Sequence, residues 1–124
     1  MLDKSSRDKA LKDTYLKLLR TGVIDTRMTI KTMMNKLITA PAPSFFLAPE
    51  TIRNYIYMYE RNIFLRGKLA SEMQRDLYQT FLKLTVKHPD FTKSAIIEMV
   101  AEEPAPRFYF SDVTANKIIF NKNS

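Results

Sequence analysis

The chain of 124 residues contains no cysteine and no tryptophan. Without cysteine there is no thiolate nucleophile, no disulfide and no thiolate-bound zinc or iron–sulfur centre. Glycine is nearly as scarce, with only Gly22 and Gly67. That scarcity argues against a turn-rich β-architecture, which places glycine wherever the backbone takes positive φ. The single histidine, His88, has no legible triad partners, and no glycine-rich phosphate loop occurs. General acid–base and phosphoryl-transfer chemistry therefore lack their usual parts. The carboxylates are scattered, and the one adjacent pair, Glu102 and Glu103, would not share a helix face. No apolar run approaches the roughly 20 residues that span a bilayer. The first twelve residues are charged and lack the apolar core of a secretion signal. These absences lead to the expectation of a cytoplasmic, non-enzymatic protein with no cofactor, no metal and no membrane.

Hydrophobic residues make up 45% of the chain, enough for a modest core. Leucine, lysine, methionine and isoleucine are abundant, which favours helices. The 20 lysines and arginines outnumber the 13 acidic residues, for a net charge of +7. A balance of this sign favours polyanionic partners, nucleic acid before acidic membrane surfaces.

An ungapped repeat runs through the sequence. Pro41-Ala42-Pro43 returns 63 residues later as Pro104-Ala105-Pro106. At the same shift Asp13 meets Asp76, Tyr15 meets Tyr78, Leu19 meets Leu82 and Val23 meets Val86. Thr29 then meets Thr92, Phe45 meets Phe108, Thr51 meets Thr114 and Ile56 meets Ile119. These are 11 identities over 49 aligned positions, where chance would give about 3. The expected architecture is all-α: about six helices as two tandem three-helix units, residues 1–63 and 64–124, packed as one compact body.

Within the first copy, Leu11, Tyr15, Leu18 and Leu19 make the apolar stripe of a helix over 4–20, ended by Gly22. Asp25 is expected to cap a second helix with Ile30, Met33, Met34 and Leu37 inward. Pro41 and Pro43 stop it. Phe45, Phe46 and Leu47 make the following connection too apolar for an exposed loop. Pro49 opens a third helix with Ile52, Tyr55, Ile56 and Tyr59 inward, continuing toward Leu65. The second copy repeats the plan. A helix from about Ala70 to Lys87 carries Met73, Leu77, Tyr78, Phe81 and Leu82 inward. Pro89 opens the next, with Ala95, Ile96, Met99 and Val100 inward. Ser111 caps a last helix carrying Ala115, Ile118 and Ile119.

The stretch Leu47-Ala48-Pro49-Glu50-Thr51-Ile52-Arg53-Asn54-Tyr55-Ile56 resembles the start of the recognition helix in helix-turn-helix DNA-binding proteins. In that pattern a small residue and a threonine precede an apolar anchor, then arginine and asparagine, then a second apolar pair. The resemblance covers about 30 residues per copy, and the connection of roughly nine residues is longer than the usual turn of about 3–4. It implies that Glu50, Thr51, Arg53, Asn54 and Tyr57 face a DNA groove, where arginine and asparagine pair with guanine and adenine edges. Lys31 and Lys36 on the preceding helix would touch phosphates. The second copy lacks the arginine and presents Val113, Thr114, Asn116, Lys117 and Phe120 instead. Residues 1–63 carry 11 basic and 6 acidic side chains, and 64–124 carry 9 and 7. The first copy is accordingly expected to bind nucleic acid, DNA favoured. The second is expected to support it, or to serve a homo-oligomer or protein partner. The alternative is a structural or adaptor protein, such as a phage or mobile-element assembly component, that uses its helical surface for protein contacts.

Overall fold

The computed structural model describes residues 4–120, and these form six helices: α1 (Lys4–Thr21), α2 (Ile30–Ile38), α3 (Pro49–Glu60), α4 (Lys68–Lys87), α5 (Lys93–Glu102) and α6 (Asp112–Phe120). The fold is all-α, as the composition and periodicity indicate. Gly22, at φ +78°, ends α1, with the Ile24 N–H reaching back to the Leu18 carbonyl at 3.3 Å. Ser111 caps α6, its Oγ accepting from the Thr114 N–H at 3.1 Å.

Two helix starts differ from expectation. Asp25 does not cap α2, because its carboxylate is used locally. One oxygen accepts from the Arg27 N–H at 2.7 Å and the other from the Arg27 guanidinium at 3.2 Å. This is an aspartate turn, closed by Met28 N–H to Asp25 O at 3.1 Å. The cap is Thr29, whose Oγ1 accepts from the Thr32 N–H at 3.2 Å. In the second copy Pro89 likewise opens a turn, closed by Phe91 N–H to His88 O. Thr92 caps α5 through the Ala95 N–H at 3.1 Å. Ile30, expected to face inward, therefore stands on the first turn of α2 and is exposed. Leu82 is also exposed.

The packing divides the chain into two units with boundaries other than residue 63. One unit is 43–105, holding α3, α4 and α5. The other is built from two separated stretches, 4–42 and 106–120, holding α1, α2 and α6. In the first unit α3 packs on both α4 and α5; in the second α6 packs on both α1 and α2. Each third helix thus completes the helical pair of the other sequence copy. Both crossings fall directly after the alanine of a Pro-Ala-Pro segment, at Ala42 and Ala105, and both alanines are buried. Each crossing segment holds two prolines, and Ala40, Ala42, Glu103 and Ala105, which precede them, are held out of helical conformation. The chain leaves one helical pair in extended form instead of doubling back.

The core of the 43–105 unit is Phe45, Ile52, Ile56, Leu77, Phe81, Leu84, Ile96, Ile97 and Val100. That of the other unit is Leu11, Ile24, Met33, Met34, Leu37, Phe108, Phe110 and Ala115. Burying each large apolar side chain contributes roughly 1.5–3 kcal/mol.

The route from α3 to α4 is a tight turn, not a continued helix. Asn62 takes φ +60° and the Ile63 N–H reaches back to the Met58 carbonyl at 2.9 Å, the left-handed asparagine ending that stops a helix. Gln74 of α4, only 1% exposed, holds that turn down. Its Nε2 donates to the carbonyls of Tyr55 and Ile63, each at 3.1 Å, and its Oε1 accepts from the Leu65 N–H at 2.8 Å. The equivalent residue 63 positions earlier is Leu11, fully buried in α1.

Candidate nucleic-acid interface

The outer face of α3 is arranged as its sequence suggests. Ile52 and Ile56 are buried beneath it, while Glu50, Arg53, Asn54 and Tyr57 are exposed and Thr51 is half-buried. Arg61 extends this face: its guanidinium lies 3.5 Å from the Tyr57 ring centroid, a cation–π contact that holds both side chains. The sequence reading passed over Arg61, although its spacing of four from Tyr57 and eight from Arg53 marks the same stripe. Arg53 also reaches the Ser94 hydroxyl of α5 at 3.4 Å, and Lys93 pairs with Glu60 at 2.9 Å.

The structure does not bring all seven candidate residues together. Glu50, Thr51, Arg53, Asn54 and Tyr57 belong to the 43–105 unit; Lys31 and Lys36 belong to the other. The helix packed beside α3 in the place expected for α2 is α5.

This partition also moves the charge. The 43–105 unit carries 8 lysines and arginines and 8 acidic residues. The stretches 4–42 and 106–120 carry 11 basic and 4 acidic residues. The whole positive excess of the described chain therefore resides in the α1–α2–α6 unit, and the unit holding α3 is neutral. Phosphate affinity scales with the number of cations brought to the backbone, so the neutral unit is the weaker electrostatic partner despite its arginines.

In the basic unit, Lys12, Lys17 and Arg20 stand exposed on α1, and Lys9 is exposed but paired with Asp13 at 3.1 Å. Lys31 and Lys36 are exposed on α2, opposite Met33, Met34, Leu37 and Ile38. On α6, Val113, Thr114, Lys117 and Phe120 are exposed and Asn116 is half-buried, above the fully buried Ala115. Two further arginines serve the fold. Arg7 lies 4.5 Å from the Phe110 ring centroid, and Arg107 donates to the Phe108 carbonyl at 3.0 Å. Lys31 and Lys36 on α2 and Thr114 and Lys117 on α6 are thus exposed residues of two helices that pack on each other. Only a knowledge of which helices pack together joins these residues.

The chain matches no family model, no curated protein and no solved structure. Among the described residues no helix is long and apolar enough to cross a membrane.

Proposed function

We propose that this protein binds nucleic acid, duplex DNA favoured, without catalysing a reaction, and that the α1–α2–α6 unit supplies the affinity. The observation that carries this reading is the charge partition, with the full excess of +7 in one unit and none in the other. Helix order supports it: α2, then a short capped third helix with exposed Thr114 and Lys117 and half-buried Asn116, follows the helix-turn-helix plan with the third helix drawn from the other copy. Asparagine can pair with an adenine edge and lysine with guanine or phosphate. The Arg53–Asn54 face of α3 is, in this reading, an auxiliary contact.

The test is duplex binding followed by fluorescence anisotropy across a salt series. Wild-type affinity should fall linearly with log salt. Replacing Lys31, Lys36 and Lys117 by alanine together should reduce that slope by up to about 3, one for each lost phosphate contact. Arg53→Ala should change it by about 1 or less. No binding at low salt, or a triple variant indistinguishable from wild type, refutes the proposal.

A second reading, a protein-binding adaptor, draws on the neutral unit. Val86 is 81% exposed there, and Ile63, Phe64 and Phe91 are each about half exposed. In that reading the 43–105 surface takes a protein partner, and purified protein retains no duplex in the salt series.

A further inference from the structure

We infer that the protein forms a reciprocally exchanged dimer, in which α6 of each chain seats on the α1–α2 pair of a second copy. The α1–α2–α6 unit is discontinuous, and the 43–105 stretch that separates its two parts forms a unit of its own. The contacts that hold 106–120 in place come from 4–42. Phe108 N–H donates to the Ile38 carbonyl at 2.9 Å, Arg7 covers the Phe110 ring, and Tyr15 meets Phe120 edge to face at 5.8 Å between centroids. Every one of these bonds forms equally well when α6 arrives from another chain, so exchange leaves the native contacts intact.

The connectors favour exchange. Each contains a Pro-Ala-Pro segment and no glycine, so each is stiff and a poor means of folding back. The repeat gives the same conclusion from another side. Each helical pair takes its third helix from the other copy, the arrangement two separate copies reach only by trading third helices. Against exchange stands the effective concentration of the chain's own α6, of order mM for a short tether. Exchange therefore becomes prominent when the chain refolds near that concentration.

The chain contains no cysteine, which permits a direct test. Full-length Tyr15→Cys and Phe120→Cys variants are unfolded, mixed in equal amounts and refolded at about 1 mM, near the tether's effective concentration, and at about 10 µM, far below it. After dilution, a short bismaleimide is added and the peptides are read by mass spectrometry. Because each chain carries a single cysteine, a 15–120 cross-link arises only between chains. Its yield should be at least about tenfold higher from the concentrated sample. Folded variants that give no such peptide at either concentration overturn the inference. Should either variant fail to fold, light scattering on the unmodified chain refolded under the same conditions decides. A species of twice the monomer mass that persists on dilution until the protein is unfolded supports exchange. Monomer alone, or a dimer that dissociates on mixing, overturns it.

Discussion

Gln74→Leu isolates a single structural device. The substitution keeps the side chain's approximate size and reproduces what stands at the equivalent position, Leu11. It removes three hydrogen bonds, to Tyr55 O, Ile63 O and Leu65 N–H. At a net value of about 1 kcal/mol each, their loss costs about 3 kcal/mol. The new leucine recovers part of this through apolar burial, about 1 kcal/mol. The expected net destabilisation is about 2 kcal/mol. With a urea slope of about 1–3 kcal/mol/M, the unfolding midpoint should fall by about 0.7–2 M. The measurement is a urea titration followed by circular dichroism and by tyrosine emission, which no tryptophan obscures. Tyr55, Tyr57, Tyr59 and Tyr78 all belong to the 43–105 unit, so the tyrosine signal should report the shift most directly. The reverse change, Leu11→Gln, buries an amide where no α3–α4 turn offers partners, and it should destabilise as well. A Gln74→Leu protein within about 0.5 kcal/mol of wild type, or more stable, would refute the claim that this residue anchors the turn.

Two further expectations concern local features. Thr29→Ala and Thr92→Ala each remove a cap bond, at the starts of α2 and α5. Each should cost about 1 kcal/mol by thermal or urea unfolding, whereas Asp25→Ala should not shorten α2 by amide exchange. Asp25 has a carboxyl lowered below its ordinary value, chiefly by the Arg27 backbone N–H and then by the Arg27 side chain. A carboxylate lowered on folding adds stability that is fully present above its unfolded pKa and is lost as pH falls through the folded value. Stability should therefore decline on the acid side of the carboxylate range, and Asp25→Asn should flatten that decline in a pH series of unfolding midpoints.

Much of the local structure was legible from residue type and spacing. The stripes at Leu11–Leu19, Met33–Leu37, Ile52–Ile56 and Ile96–Val100 have helical periods. Gly22 and Pro49 mark helix ends by their backbone chemistry and Ser111 by its capping hydroxyl, and burial of Ile52 and Ile56 turns Arg53 and Asn54 outward. The errors occur where neighbours compete for one group. Asp25 is a good cap by type, yet its carboxylate is engaged by Arg27, two residues away, and Thr29 takes the capping role. The α3 ending was missed because Asn62 supplies the positive φ more often met with glycine.

The sequence by itself determined that the chain is helical, where most helices end, and which face of each turns inward, because these follow from contacts within a few residues. It also determined the overall charge. Only the tertiary structure decided which helices share a core, since α3 is offered two similar helical pairs with matching apolar stripes. The choice rests on the stiff Pro-Ala-Pro connectors and on Gln74 tying α3 to α4. That choice divides the charge between a neutral unit and a basic one, and no count along the chain could have located the boundary.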